Sequence, residues 1–403
     1  LNKMKLSSIL SRFSESGTLQ MAKLGRELKA KGIDVIGLSV GEPDFNTPDH
    51  IKEAAKKAID DNYSHYTPVA GYLDLREAVC KKLKRDNGLT YTPQQVIVST
   101  GAKQSIANTM FSILDEDDEI IIPTPYWVSY SEIARFARAK VVFVNATAES
   151  GFKITPQQLE AAITDKTKLF IFSSPCNPTG AVYTKSELEG LAKVFEKHPQ
   201  IFIISDEIYE YINYSNENGG GHESIAQFDY LKDRVILING LSKGFAMTGW
   251  RLGYIAANVE IVKACEKIQG QFTSGPTAVT QRAAITALDS SLAPAYEMVK
   301  QFKIRKQRVM ELLKEMPQLK CVEPDGAFYV FPEVKSYFGK KFNGQVINTS
   351  SDLCMYILNE AHVSTVAGDA FGAPDYIRIS FANSMENIEE GFKRIKKGLE
   401  NLQ

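Results

Sequence analysis

The stretch GLSKGFAMTGWRLGY, residues 240–254, sets one lysine, Lys243, among glycines and small or apolar residues, directly after the apolar run RVILIN. Most lysines sit on solvated loops, which is the plain reading. A lysine in a partly desolvated site instead loses affinity for its proton and becomes a nucleophile towards carbonyl carbons. Arg251 follows eight positions later. It is either a surface charge or a rigid fork suited to clamping a phosphate.

Ligands of open α/β sheets bind beyond the carboxyl ends of the strands, so the residues that follow each apolar run carry the argument. After VIVS comes Thr100-Gly101-Ala102-Lys103, opening a helical pattern. It is either a simple turn or an anion site built from free N–H groups and the helix dipole. After LFIFSSP comes Cys176-Asn177-Pro178-Thr179-Gly180, and the two prolines and one asparagine of SPCNPTG suggest a fixed backbone, with a cis proline, that orients the Asn177 amide. After IFIIS come Asp206 and, three residues on, Tyr209. Asp206 is a helix cap or a carboxylate kept ionised beside a cationic partner. Trp127 in PYWVSY is a core aromatic or a flat face for a flat ligand. Arg378 lies inside the apolar strand pattern YIRISFA, where it needs a partner carboxylate from the protein or from a ligand.

Taken singly these are weak signals. Together they match what pyridoxal 5'-phosphate needs. A lysine forms an imine with its aldehyde, a helix N-terminus and an arginine hold its phosphate, and a carboxylate keeps its ring nitrogen protonated. A tyrosine or asparagine tunes its phenolic oxygen, and an aromatic ring stacks on it. The remaining arginine suits an amino-acid carboxylate.

The elements that must position these groups alternate from about residue 49. Two helices, TPDHIKEAAKKAIDD (Thr47 as N-cap, Pro48 at the first position) and LDLREAVCKKLKRDNG (Gly88 as stop), precede seven short apolar runs interleaved with helical patterns. Evenly apolar strands alternating with helices predict an α/β domain with a mostly parallel seven-stranded sheet covered on both faces. After about residue 292 one long helix leads into KCVEP, AFYVFPE, VSTVA and YIRISFA, read as strands of a smaller α+β domain. The expected division is 48–292 for the large domain, with 1–47 and 293–403 together forming the small one. FGKKFNGQVINTS and NENGGGHES read as loops.

Composition narrows the function further. The 403 residues carry 47 Lys and Arg against 48 Asp and Glu, a net charge of −1, which recommends neither nucleic acid nor a membrane surface as partner. The N-terminus lacks a signal-peptide pattern, and no apolar run approaches a bilayer span. Five scattered cysteines without a CxxC spacing point to a reducing, cytoplasmic compartment, and five histidines without an HxxxH pair give a metal site little support.

The ordered motifs GEPDFNTPDHI, HYTPVAGYLDLREA, STGAKQS, PYWVSY, SPCNPTGAVY, SDEIYE, LSKGFAMTGWRLGY, GAFYVF and YIRISFA run almost end to end. In them the chain resembles the fold-type I (class I) pyridoxal-phosphate aminotransferases. The resemblance is to the prokaryotic-type aspartate aminotransferase branch, which includes plant enzymes that also use prephenate. It implies the aspartate aminotransferase fold, a homodimer with shared active sites, and a ping-pong transfer between amino and 2-oxo acids. It also implies roles: Lys243 for the imine, Asp206 for the ring nitrogen, and Tyr209 and Asn177 for the phenolic oxygen. Gly101, Ala102, Lys103 and Arg251 would surround the phosphate, with Tyr66 arriving from the second subunit, and Trp127 would stack on the ring. Arg378, with Asn177 and the backbone of Gly41, would bind the substrate α-carboxylate. Lys103 and Thr18 fall where the branch recognises an acidic side chain. Gly240 stands where more distant aminotransferases have a serine phosphate ligand, and no equivalent is found of the partner-subunit arginine that another branch uses for the distal carboxylate. Aspartate is the expected donor and 2-oxoglutarate the acceptor. Prephenate, aromatic or alanine specificity is the alternative; a cofactor-free scaffold fits less well with Lys243, Asp206 and Arg251 all present, and a sensor module less well with motifs that begin by residue 41 in a chain that is not basic.

Overall fold

The computed structural model describes Met4 and residues 6–15, 17–215 and 221–403; residues 216–220 of the expected NENGGGHES loop lie outside the described residues. The chain begins with α1 (Gly17–Ala30), β1 (Ile36–Gly37), α2 (Asp49–Asp60) and α3 (Leu73–Asn87). Then come β2 (Val96–Ser99), α4 (Ala102–Ile113), β3 (Glu119–Thr124), α5 (Ser129–Phe136), β4 (Lys140–Asn145), α6 (Pro156–Ala162), β5 (Thr167–Ser173), α7 (Lys185–Lys197), β6 (Phe202–Asp206), β7 (Val235–Gly240) and β8 (Gly253–Ala256). The helices α8 (Val259–Phe272), α9 (Ala278–Asp289) and α10 (Ala293–Lys314) lead into β9 (Tyr329–Val330) and the short pair β10 (Lys341–Phe342) and β11 (Gln345–Val346). The chain closes with α11 (Ser350–Tyr356), β12 (Val363–Ser364), β13 (Val366–Ala367), β14 (Ile377–Ser380) and α12 (Met385–Glu400).

The seven apolar runs form one sheet in the order β2-β8-β7-β6-β5-β3-β4. β8 is antiparallel to both its neighbours, and the other pairings are parallel. Alternate residues feed opposite layers: Val96, Val98, Phe170, Phe172, Val235 and Leu237 face one core, and Ile97, Leu169, Ile171, Ile236 and Ile238 the other. The strands are uniformly apolar because both faces are covered. β8 brings Gly253 opposite both Ser99 and Gly240, so one segment joins the ends of β2 and β7. The carboxyl ends of β2, β5, β6 and β7 thus converge.

A second core gathers Met21, Val35, Ile36 and Leu38 with Phe302, Val309, Phe328, Ile379 and Phe392. β1 contributes to it by pairing in parallel with β12. The segment between β1 and α2 is pinned from this side: both nitrogens of the Arg305 fork hold Asp44, at 2.6 and 3.0 Å.

Four local expectations need correction. Thr47 does not cap α2, whose N-cap is Pro48. Its hydroxyl donates instead to Ala246 O at 2.7 Å and accepts from Trp250 Nε1 at 3.0 Å, a tie across some 200 residues that outweighs a local cap. FGKKFNGQVINTS is not all loop: β10 and β11 pair about Asn343-Gly344, both at positive φ, the geometry that Asn-Gly favours in a tight hairpin. VSTVA is split at Thr365, since β12 pairs with β1 and β13 with β14. KCVEP forms no strand; its Lys320 carbonyl accepts a single bond from Glu333 N–H. Gly88 ends α3 as expected, in the left-handed region at φ 69°.

Candidate active site

The strand ends and the second core enclose a cavity of about 470 Å³. Its lining includes Thr18, Gly41, Ala102, Lys103, Trp127, Asn177, Asp206, Tyr209, Lys243, Arg251 and Arg378. Eleven residues singled out from the sequence, ten of them from seven separated motifs, therefore meet in one place. Gly101 lies just behind the lining, against Arg251. Tyr66 does not join them. It is fully exposed and borders a separate depression with His65 and Gly275.

Asp206 ends β6 and is only 4% exposed. The Tyr130 hydroxyl donates to its Oδ2 at 2.5 Å, and the Ile208 N–H donates to its Oδ1 at 3.3 Å. Burial pushes its carboxyl up to about 6, against the pull of those two donors, while neighbouring Glu207 pushes it higher. A cation placed opposite it would reverse that shift.

Lys243 sits in the turn after β7, and its Nζ donates to Gly41 O at 2.5 Å. Burial lowers its ammonium to about 8, opposed by Glu42 and assisted by Arg378 and Arg251. Near neutral pH a sizeable minority of such a lysine is the free amine that reacts with carbonyls.

Gly101 precedes α4 at φ 82°, in the left-handed region, and a Cβ there would lie 2.5 Å from Arg251 Nη2. A Cβ on Gly253 would lie 2.3 Å from Ala102 N. Two glycines thus leave the first turn of α4 bare beside the Arg251 fork. The first N–H groups of a helix have no partner within it. Such a cradle suits a phosphate dianion.

Trp127 is half-buried, with Tyr130 edge-on to it at 5.5 Å and 88°, and Lys103 Nζ stands 4.9 Å from its ring centre. Burial, then the charge of Arg251, lowers the Lys103 ammonium. Arg378 is 1% exposed in β14. Its Nη1 donates to Asn177 Oδ1 at 2.8 Å and its Nη2 to Ser39 O at 2.6 Å, while its buried Nε has no partner. Among the described residues no carboxylate pairs with it. A buried guanidinium without a counter-charge marks a site that awaits an anion. Tyr209 and Tyr329 join hydroxyl to hydroxyl at 2.7 Å, and Arg378 lies over the Tyr329 ring at 4.4 Å.

The amine, the carboxylate, the bare cradle and the aromatic face are a donor set that suits pyridoxal phosphate, and the Arg378 guanidinium, with no carboxylate partner among the described residues, suits a further carboxylate. Residues missed by sequence reasoning are Tyr130, Tyr329, Ser173, Ser242, Glu42 and Thr248, all on the lining. For Tyr130 the available signal was its spacing, three positions after Trp127 in PYWVSY, which puts both on one side of a helical turn. Elsewhere, Glu207, Glu210 and His222 bring ligand atoms within 4.8 Å of one another. Glu210 already faces the Lys82 ammonium, and Glu207 accepts from Ser205, Ser224 and His222, so the cluster reads as a buried ion-pair network.

Comparison with known proteins agrees with this geometry. A family model described as aminotransferase class I and II matches residues 33–395. The aspartate aminotransferase of Bacillus subtilis (strain 168) is 43% identical over 98% of this chain and 99% of its own length. A probable aspartate/prephenate aminotransferase of Rhizobium leguminosarum bv. phaseoli is 44% identical over 97% of this chain and 98% of its own. The crystal structure of the aspartate aminotransferase from Rhizobium meliloti superimposes with a TM-score of 0.95, at 38% identity and full coverage of both chains.

Proposed function

This chain belongs to the class I and II aminotransferases, pyridoxal-phosphate enzymes acting on amino and 2-oxo acids, and we propose that it transfers the amino group of L-aspartate to 2-oxoglutarate. The products are oxaloacetate and L-glutamate, formed in two half-reactions on one site. The observation that carries this reading is the pair of cations in one cavity, Arg378 buried and unpaired and Lys103 near the Trp127 ring. Their separate placement suits the two carboxylates of one dicarboxylic substrate.

When bound, the cofactor supplies an aldehyde that takes up the amino group and a ring that accepts electron density from the substrate's Cα. The protein does the rest. Gly101, Ala102 and Lys103, with Arg251, hold the phosphate, joined by Tyr66 from a second copy in a homodimer. Asp206 faces the ring nitrogen, Asn177 and Tyr209 face the phenolic oxygen, and Trp127 covers one side of the ring. Arg378, Asn177 and Gly41 take the α-carboxylate; Lys103 and Thr18 take the distal one. Lys243, once free as a neutral amine, would remove the Cα proton as base and then deliver a proton as acid on the far side of the substrate nitrogen. We assign residues 48–292 to the cofactor-binding domain and 1–47 with 293–403 to the smaller one. The five cysteines are all free, which supports a reducing, cytoplasmic setting. Among the described residues no helix is long and apolar enough to cross a membrane.

Prephenate is the second substrate that the comparisons favour, through the printed name of the Rhizobium leguminosarum relative. A panel of amino donors and oxo acceptors tests the assignment. Aspartate with 2-oxoglutarate should give the highest kcat/KM, with prephenate accepted as an alternative oxo acid. Preference for alanine or an aromatic donor over aspartate would refute the dicarboxylate reading.

A further inference from the structure

Tyr130 has no part in the roles assigned above, yet it is among the most buried tyrosines of the protein, 1% exposed at the start of α5. A buried phenol needs an acceptor, and the plain reading makes Asp206 no more than its hydrogen-bond sink. Four observations argue for the reverse direction of dependence. Asp206 is itself buried at the cavity floor, and among the described residues its carboxylate has two donors, Tyr130 and the Ile208 N–H. Those two donors take different oxygens, so together they fix the carboxylate plane. The Tyr130 bond is the shorter of the two, 2.5 Å against 3.3 Å, as expected for a hydroxyl on an ionised carboxylate. The ring is held independently by its edge contact with Trp127, 5.5 Å between centres, so the hydroxyl is aimed before any ligand arrives.

We propose that Tyr130 is a positioning residue for the reaction, holding Asp206 ionised and oriented toward the cofactor's ring nitrogen. The proposal rests on the assignment of Asp206 to that nitrogen. Burial and the neighbouring Glu207 both favour the protonated carboxyl, which cannot stabilise a ring cation. The phenol opposes them by donating to the charged form.

Tyr130→Phe removes one oxygen and keeps the ring contact. Titration of cofactor-free protein with pyridoxal phosphate should show Kd raised about tenfold or more, the scale of a hydrogen bond to a charged group. kcat should fall while KM for the amino donor stays within about twofold, since the lost hydroxyl acts through Asp206. In an Asp206→Asn background the same substitution should leave Kd unchanged, because a residue that acts through Asp206 has nothing left to act on. An unchanged Kd and kcat in Tyr130→Phe would overturn the proposal, as would an equal loss in both backgrounds, which marks a packing effect. If Asp206→Asn alone kept native Kd and kcat, the assignment of Asp206 would fail first and the proposal with it.

Discussion

The floor and the mouth of the cavity are built differently. On the floor, Asp206, Tyr209, Tyr329 and Arg378 are buried on strands or strand ends, and each is bonded to a side chain from another element. At the mouth stand Thr18 and Leu19 on the first turn of α1, the latter 65% exposed, and Lys103 on the first turn of α4. Lys103 has a ring contact and no protein carboxylate among the described residues. Rigid strand ends hold reacting groups to the tolerance that chemistry needs. Exposed first-turn side chains can change without disturbing the sheet. Under the roles proposed above, the difference assigns the reaction type to the floor and the choice of amino acid to the mouth.

The largest expected break is on the floor. Lys243→Ala should lose at least the ~10²–10⁴-fold that general acid–base catalysis supplies, while still folding and binding cofactor. Single-turnover absorbance with aspartate checks this, and near-native turnover would remove Lys243 from the mechanism. A smaller effect comes from pH. Because burial lowers Lys243 to about 8, the cofactor-free protein should capture the aldehyde faster as pH rises, roughly tenfold per unit below that value, and level off above it. The same shift makes the unfolded chain bind the proton more tightly, so the cofactor-free protein gains stability from this residue as pH rises from about 8 towards the ordinary 10.5. A capture rate still climbing near pH 10 would mean that Lys243 is solvated like a surface lysine.

Much of the floor is legible in the sequence. The strands are apolar throughout, their carboxyl ends are marked by Gly, Pro, Asn and Asp, and those ends converge by the rule for open parallel sheets. What stayed hidden has physical reasons. A buried tyrosine looks the same in a sequence whether its hydroxyl meets a carbonyl or a catalytic carboxylate, so Tyr130 and Tyr329 passed as core. Thr47 satisfied the local pattern of a cap, but its partners are Ala246 and Trp250, which no short window contains. VSTVA reads as one strand, and only the tertiary fold divides it between β1 and β14. Tyr66 is fully exposed in the single chain, and the role proposed for it requires a second copy.

The division between floor and mouth is tested most directly by one matrix: Arg378→Ala and Lys103→Ala, each assayed for kcat/KM with aspartate and with an aromatic amino donor. Arg378→Ala should lower both donors alike, by about 10²-fold, since each presents an α-carboxylate to the same buried guanidinium. Lys103→Ala should lower aspartate by about tenfold and leave the aromatic donor within about twofold. Equal losses for both donors in Lys103→Ala, or an Arg378→Ala enzyme that discriminates between them, would contradict the account.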